Sequence, residues 1–383
     1  MKKQISCLFL LLLAFTIFSC GSSEDDLGSN FDTGDGYGNS SDDDDGDMFT
    51  DRDLDQTPDL SEAEYITLRS GENTSITEEG VYVISGNATN ASVTVNVDDE
   101  AKVQLVLDDV SVTNENEPVV YIKSADKVFI TTATGSDNYM NVSENFSSDG
   151  DTNTDAVIFS KEDLTLNGKG SLEVVSSHGN GITSKDDLKI TGGTLIVYSD
   201  LDSIEANDSI RICGGELTIE SDKDALHSEY EEDDSVGFIY ISGGTLNITA
   251  TDDGIRGTSY IRIDGGTIEI ESSTEGIEAT YIQINDGDID IYATDDGINA
   301  TSKSSEYSVV IEVNGGTINV EVGSGDTDGF DSNGNIIIND GTINVIANSA
   351  FDCNGNAALN GGTVTVNGQI ITAITCDDGP PQP

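Results

Sequence analysis

Acidic residues recur at one position of a repeating unit in the second half of the sequence, a pattern typical of metal ligation. The acids that share this position are Asp202, Asp224, Asp253, Glu275, Asp296 and Asp328, with further acids beside them at Asp200, Asp222, Asp252, Asp295 and Asp326. If the repeats stack, neighbouring carboxylates lie about 4.8 Å apart and repel one another unless a cation separates them. Calcium suits such a column, because it is a hard cation that takes about six to eight oxygen ligands.

The densest group of these ligands lies in residues 326–333, where Asp326, Asp328 and Asp331 surround Gly329. We expect this turn to be the best single calcium site. It is not an EF-hand, since Ile337 stands where that loop requires glutamate. The alternative for the whole column is a solvated acidic ridge, screened by salt over about 8 Å.

A row of aromatic residues is the second candidate site. Phe238, Tyr260 and Tyr281 are predicted to lie in one outward column on adjacent repeats, where exposed rings suit stacking against sugars. The alternative is that the rings only stabilise the sheet. Arg256 completes the predicted sugar-binding set, whereas His227 is expected to be an exposed bystander.

Glycine pairs punctuate the sequence at a nearly constant interval and set the repeat. The pairs, two of which have aspartate in the first position, are Gly192-Gly193, Gly214-Gly215, Gly243-Gly244, Gly265-Gly266, Asp286-Gly287, Gly315-Gly316, Asp340-Gly341 and Gly361-Gly362. Their second glycines lie 22, 29, 22, 21, 29, 25 and 21 residues apart, and the two intervals of 29 contain polar insertions at residues 228–237 and 301–308. Such periodicity indicates a solenoid.

Between the glycine pairs, apolar and polar residues alternate with the period of two that is typical of strands. Three short strands follow one another in each repeat, and stacking aligns their apolar residues. The two predicted inner ladders are Leu195, Leu217, Leu246, Ile268, Ile289, Ile318 and Ile343, and Ile182, Ile204, Leu226, Ile255, Ile277, Ile298, Phe330 and Phe351. The sequence therefore predicts an all-β chain with a single parallel β-helix of three-strand coils.

Residues 1–19 have the features of a lipoprotein signal peptide. Lys2 and Lys3 precede an apolar run that is too short to span a bilayer comfortably. Cys20 follows directly, so we expect lipid attachment there. The acids at residues 24–26 resemble the surface-export signal of Bacteroidetes-type lipoproteins, which predicts an outward-facing position on the outer membrane.

The remaining chain divides into three predicted parts. Residues 20–63 hold fifteen acids and one arginine, and we expect a solvated, disordered tether. Residues 64–375 are predicted to form the β-helix, and residues 376–383 a tail. We assign no chemistry to Cys213, Cys353 and Cys376, because their number is odd and their spacing matches no metal motif.

The net charge limits the partners that the protein can have. Subtracting the +2 of the leader and the −14 of the tether from the total of −56 leaves −44 on the rest of the chain. Such a surface repels nucleic acid and anionic lipid, so no nucleic-acid partner is expected. A polyanionic ligand is expected to need a bridging metal.

Three segments resemble a known family: residues 158–164 (IFSKEDL), residues 180–194 (NGITSKDDLKITGGT) and residues 328–334 (DGFDSNG). They are similar to bacterial carbohydrate-binding domain proteins of the clostridial cellulose- and pectin-binding type. Those proteins are right-handed parallel β-helices related in shape to family 9 pectate lyases. The resemblance covers roughly residues 64 to 375.

This resemblance implies calcium at Asp-Gly-Ile turns, which match here at residues 253–255 and 296–298, and at residues 328–330 with Phe330 in the place of isoleucine. It also implies non-catalytic binding of polysaccharide, such as cellulose or pectin-like glycans, at the cell surface. A calcium-dependent polysaccharide lyase is the first alternative, with Arg256 as its basic residue. A surface adhesin or spacer with a protein ligand is the second.

Overall fold

A computed structural model of the protein describes residues 48–230, 232–325 and 327–376. The predicted signal peptide, Cys20 and Asp326 lie outside these ranges. The described chain is almost entirely β-structure, with the four-residue helix α1 (Asp51–Leu54) near its start. Within the same ranges, no helix has the length and apolar character needed to cross a membrane.

The strands are short and follow one another through the described chain. In chain order they are β1 (Glu64–Thr67), β2 (Thr74–Ile76), β3 (Gly80–Thr89), β4 (Val93–Asn96), β5 (Lys102–Asn114), β6 (Val120–Ser124), β7 (Lys127–Thr132), β8 (Asp137–Val142), β9 (Ala156–Ser160), β10 (Asp163–Gly168), β11 (Ser171–Ser176), β12 (Asn180–Ser184), β13 (Asp187–Ile190), β14 (Thr194–Ser199), β15 (Ile204–Ala206), β16 (Ser209–Ile212), β17 (Glu216–Ser221) and β18 (Leu226–Ser228). They continue as β19 (Phe238–Ile241), β20 (Thr245–Ala250), β21 (Ile255–Gly257), β22 (Tyr260–Ile263), β23 (Thr267–Ser273), β24 (Ile277–Ala279), β25 (Tyr281–Ile284), β26 (Asp288–Ala293), β27 (Ile298–Ala300), β28 (Val310–Val313), β29 (Thr317–Val322), β30 (Asp328–Ser332), β31 (Asn335–Ile338), β32 (Thr342–Ile346), β33 (Ser349–Cys353), β34 (Ala357–Leu359), β35 (Thr363–Val366) and β36 (Gln369–Ile371).

These strands form three parallel faces of a β-helix, except for β36, which pairs antiparallel with β35. The first face contains β8, β11, β14, β17, β20, β23, β26, β29, β32 and β35; the second contains β2, β4, β6, β9, β12, β15, β18, β21, β24, β27, β30 and β33; and the third contains β1, β3, β5, β7, β10, β13, β16, β19, β22, β25, β28, β31 and β34. Strand β5 pairs with β7 on the third face and with β8 on the first, which joins those faces into one sheet. The predicted fold class is confirmed.

Both predicted inner ladders are confirmed. On the first face, Leu246 pairs in register with Ile268, and Ile268 with Ile289; on the second, Ile255 pairs with Ile277. Every member of the two ladders is at most 4% exposed. Stacking equivalent residues from coil to coil thus produces one continuous apolar core.

The glycine pairs form the corners between the third and first faces. Their second glycines adopt positive φ, for example +101° at Gly266 and +110° at Gly341. A side chain disfavours that backbone conformation, so glycine is the residue that permits the sharp corner at each repeat. This requirement explains why the glycine period reports the coil length.

The N-terminal part of the described chain packs against the third face. This segment belongs to the stretch that the sequence analysis predicted to be a disordered tether. Asp53 of α1 is completely buried, and Gln56 donates to the carbonyl of Thr191 at 3.3 Å. The tether prediction is wrong for this segment. Composition does not reveal that Asp53 pairs with Lys127 and Lys189, which are far from it in sequence and buried on the third face. The C-terminal end is also fixed, through a disulfide between Cys353 and Cys376.

Candidate functional site

The predicted acid column lies at the turn between the first and second faces. The backbone N–H of Asp224 donates to a carboxylate oxygen of Asp202 at 3.2 Å, and that of Asp253 donates to Asp224 at 2.9 Å. Asp328 and Asp296 are joined in the same way at 2.8 Å. In each pair, one carboxylate oxygen therefore accepts a hydrogen bond from the backbone of the next coil. The other carboxylate oxygen is left for contact with a cation.

A tight turn places the acids here. In the Asp253 turn, a Cβ on Gly254 would lie 2.7 Å from the carbonyl oxygen of Gly276 and 2.9 Å from Ile270. Glycine after the acid lets the coils approach closely enough for the carboxylates to meet. Where Ala225 replaces this glycine after Asp224, the coil accommodates a methyl group that is fully buried.

At one end of the column, the protein supplies its own cations. Lys223 Nζ lies 2.9 Å from Asp202 and 3.7 Å from Asp224, while His227 Nδ1 lies 3.0 Å from Asp202. His227 Nε2 also lies 2.9 Å from Glu229. The prediction of His227 as an exposed bystander is wrong: it is 8% exposed, because its imidazole turns toward the column.

These contacts shift the pKa values of His227 and Asp202 at this end of the column. Burial alone would lower the pKa of His227, but hydrogen bonds with Asp202 and Glu229 raise it to about 9. Burial opposes the charge of Asp202, yet the bonds to His227 and Lys223 outweigh it and lower the pKa of Asp202. Asp202 is therefore compensated by side chains, which weakens its predicted role as a calcium ligand. Burial still raises the pKa of Asp224, and the buried Oδ2 of Asp224 has no hydrogen-bond partner within the described chain.

Arg256 forms the boundary of this end. Its guanidinium lies within 3.6 to 4.0 Å of Asp224, Glu229, Asp253 and Glu278. Arg256 sits on β21 of the second face, whereas the predicted aromatic row is on the third. The structure does not bring Arg256 together with those rings, and its guanidinium is engaged by carboxylates.

Beyond Arg256 the column has an excess of acids. Carboxylate oxygens of Asp253, Glu275 and Glu278 all lie within 4.8 Å of one another. The sequence analysis missed Glu278 as a ligand; its position two residues after the acid turn's glycine was the available signal. Lys303, from the 301–308 insertion, reaches Glu278 at 2.8 Å.

Asn299 contacts this group through its side-chain amide. Its Nδ2 donates to Glu275 at 2.9 Å, while its buried Oδ1 has no hydrogen-bond partner within the described chain. A buried unpartnered oxygen is costly, and it is the type of ligand that calcium accepts. The carboxylates of Asp253, Glu275 and Glu278, with Asn299 beside them, therefore form a group that could hold a metal ion, and we term these four residues the candidate metal centre.

The acid excess is visible in the pKa values. Burial, with the charges of Asp224 and Glu278, raises the pKa of Asp253, and burial with Glu278 raises that of Glu275. Burial is also the main reason that the pKa of Asp296 rises to about 7. A cation bound in this region would relieve the repulsion and would favour the charged state of these carboxyls.

The other predicted ligands lie around this centre. Asp252 groups with Asp224 and Asp253, and Asp295 is exposed. Burial and the neighbouring Asp328 raise the pKa of Asp331 to about 6. Because Asp326 is outside the described residues, the turn predicted to be the best calcium site stays a prediction.

The predicted exposed aromatic row is wrong for two of its three members. The rings of Phe238 and Tyr260 stack at 4.7 Å, and both residues are 7% exposed. Tyr307, from the 301–308 insertion, covers Tyr260 at 5.4 Å. Tyr281 is partly exposed and donates its hydroxyl to Glu312. The 301–308 insertion thus covers part of a column that strand alternation alone places outward.

A different aromatic surface lies on the first face, beside the acid column. A shallow groove of about 390 Å³ is lined by Tyr292, Ile346 and the polar side chains Glu269, Asp290, Asn319 and Glu321. Tyr292 is 40% exposed and Ile346 is 46% exposed. The period-two alternation of β26 placed Tyr292 outward, and this signal was available in the sequence.

Comparison with known proteins gives matches across most of the described chain. A family model described as "Carbohydrate-binding domain-containing protein" matches residues 70–327 and residues 279–379. A curated protein of that description from Acetivibrio thermocellus is 46% identical over 182 residues, 47% of this chain. The match spans 64% of that relative's length.

A solved structure is also similar to this chain. It is described as the polysaccharide lyase-like protein from C. thermocellum, as a gadolinium derivative. The superposition has a TM-score of 0.49 at 30% identity and covers 56% of this chain and 96% of that one.

Proposed function

The chain belongs to the family of carbohydrate-binding domain-containing proteins, and on that premise we propose that it binds polysaccharide without cleaving it. We further propose that the protein is a lipoprotein of the cell surface and that calcium stabilises its fold. Cellulose and pectin-like glycans are the ligand class.

The groove on the first face is the observation that carries this proposal. Tyr292 presents a half-exposed ring among carboxylate and amide side chains, and Ile346 extends the apolar surface. Sugar rings have apolar faces that stack on aromatic rings and hydroxyl rims that bond to such polar groups. The groove crosses several coils, so an extended chain can follow it.

Calcium at the candidate metal centre would compensate charge and fix the turn beside this groove. Asp253 and Glu275 belong to adjacent coils, so a shared ion joins those coils. Glu278 and Asn299, which pair in register on the second face, would hold the same ion from its other side. The protein supplies these oxygens in a turn whose carboxylates otherwise repel one another.

Retention on insoluble cellulose and on a polygalacturonate gel, with and without chelator, tests the proposal. We expect retention on at least one glycan, and about a tenfold weaker affinity for Tyr292→Ala because the stacking ring is lost. Tyr65→Ala is the matched control, since Tyr65 is 73% exposed on β1. Absence of retention on every glycan would contradict the proposal.

The lyase alternative has one supporting observation, the presence of Arg256 and Lys303 beside the candidate metal centre. Both cations already pair with Glu278, at 3.7 and 2.8 Å. Ultraviolet absorbance of unsaturated product, followed during incubation with polygalacturonate and calcium, separates the two functions. A sustained rise in absorbance contradicts non-catalytic binding.

Surface anchoring through Cys20 is tested in cells. We expect the wild-type chain in the membrane fraction and accessible to protease on intact cells. Cys20→Ala should move to the soluble fraction, because it removes the acylation site. A Cys20→Ala chain that stays membrane-bound contradicts lipid anchoring.

A further inference from the structure

A carboxylate-binding site lies on the third face, under the N-terminal segment. Asp53 is completely buried there, with its two oxygens 2.8 Å from Lys127 Nζ and 3.6 Å from Lys189 Nζ. Thr165 also donates its hydroxyl to Asp53 at 2.7 Å. The protein thus encloses one of its own carboxylates with two ammonium groups and a hydroxyl.

The surface beneath this segment is unusually basic for this chain. Lys127, Lys189 and Arg211 lie on adjacent or nearby strands of the third face, although the sequence has only 16 basic residues against 72 acids. Lys189 is 1% exposed, and burial together with the charges of Arg211 and Lys127 lowers its pKa. Arg211 pairs with Asp187 at 2.8 Å, whereas the ammonium groups of Lys127 and Lys189 both face Asp53. Two ammonium groups in so buried a position require an anion.

Other contacts of the segment involve features that also suit a sugar chain. Arg52 lies over the ring of Phe129 at 4.4 Å, so removal of the segment uncovers an aromatic face. Asn167 donates to the carbonyl oxygens of Asp53 and Asp55 at 3.3 and 3.2 Å. We call the surface formed by Lys127, Phe129, Thr165, Asn167 and Lys189 the basic strip.

We propose that the basic strip is a binding site for polyuronate, an acidic glycan with one carboxylate per sugar, and that residues 48–57 occupy it as an intramolecular substitute for that ligand. Asp53 takes the place of a sugar carboxylate, and its neighbouring carbonyl oxygens take the place of sugar hydroxyls. This inference rests on the proposed glycan binding. It uses a different face from the Tyr292 groove and requires no metal.

Affinity for soluble polygalacturonate, measured in chelator with the full-length protein, tests the proposal. We expect Asp53→Asn to bind at least about tenfold more tightly than wild type. Residues 48–57 are held less firmly without the Asp53 carboxylate, so the basic strip is uncovered in a larger fraction of molecules. Asp51→Asn is the matched control, since Asp51 is an exposed acid of the same helix. The gain should fall with added salt and disappear when Lys189→Met is combined with Asp53→Asn.

Trypsin cleavage after Arg52 of the wild-type protein gives a second measurement that does not depend on any variant folding. Polygalacturonate should accelerate this cleavage several-fold by displacing the segment, whereas neutral hydroxyethyl cellulose should leave the rate unchanged. Unchanged affinity of Asp53→Asn, or cleavage that does not respond to polygalacturonate, overturns the proposal and makes the segment a structural strap. Because retention through Tyr292 is measured separately, failure of this inference is distinguishable from failure of the proposed function.

Discussion

His227 Nδ1 lies 3.0 Å from Asp202 Oδ2, although the two residues belong to different coils. The imidazole thereby joins the turn of one coil to the second face of the next. Asp224, whose carboxylate is 3.5 Å from the same nitrogen, is fully buried. A protonated histidine here performs the charge compensation that we assign to calcium farther along the column.

Replacing His227 should destabilise the protein in a pH-dependent manner. The pKa of His227 is raised to about 9 from its ordinary value of 6.5, so its contribution is fully present below pH 6.5 and is lost as pH rises through about 9. We expect His227→Gln to lower the free energy of unfolding by about 3 kcal/mol at pH 6 and by much less at pH 10. Urea denaturation at both pH values measures this difference, and an equal loss at both would contradict the assignment. His178→Gln, at a half-exposed histidine 3.7 Å from Asp200, is the control.

Calcium should raise the melting temperature, and by more at pH 8 than at pH 5. Without metal, Asp296 and Asp331 have pKa values raised to about 7 and 6, so their uncharged forms favour the folded state at low pH and that stability is lost as pH rises through these values. Calcium competes with these protons and binds more tightly as they leave. A ligand at 100 times its dissociation constant stabilises by about 2.7 kcal/mol.

The candidate metal centre makes this calcium prediction specific. Glu275→Gln should lose most of the calcium-dependent rise in melting temperature, whereas Asp288→Asn, at an exposed acid on β26, should retain it. Differential scanning calorimetry with calcium and with chelator provides the comparison. If chelator does not change the melting temperature of the wild-type protein, the calcium prediction is contradicted. The acid column is then only a solvated acidic ridge.

The parts of the fold that repeat could be predicted from the sequence, and the parts that do not repeat could not. The ladder from Leu195 to Ile343 followed from the glycine period and the alternation, because both signals recur in each coil. The cover over Tyr260 comes from Tyr307 in an insertion outside that period. Asp53 bonds to Thr165, 112 residues away, and no local pattern encodes that contact.

The sequence predicted where the acid column lies, but not which of its acids are paired with cationic side chains. The aligned acids from Asp202 to Asp328 located the turn correctly. Which acids are compensated depends on the directions taken by Lys223, His227 and Arg256, and alternation assigns each only to an outward position. The structure therefore shifts the metal prediction toward Asp253, Glu275 and Glu278.

Gly297→Ala should be strongly destabilising because the acid turns are closely packed. A Cβ at this position would overlap Val320 on the first face and lie 2.7 Å from the carbonyl oxygen of Gly329 on the next coil. We expect a loss of about 3 kcal/mol in the free energy of unfolding, measured by urea titration. Ala225→Gly, the reverse exchange at the equivalent position, should cost only about 1 kcal/mol. A similar cost for both variants would show that the turns do not limit coil spacing.

Reduction of the Cys353–Cys376 disulfide should loosen the C-terminal end of the β-helix. The bridge spans 23 positions in sequence and ties Cys376 to β33 on the second face. Loop-closure entropy assigns about 3 kcal/mol to a bridge of this length, so reductant should lower the melting temperature. Cys353→Ala combined with Cys376→Ala should show the lower value with or without reductant, whereas Cys213→Ala, outside the bridge, should keep the reductant response. A wild-type melting temperature that does not respond to complete reduction would contradict a stabilising role for the bridge.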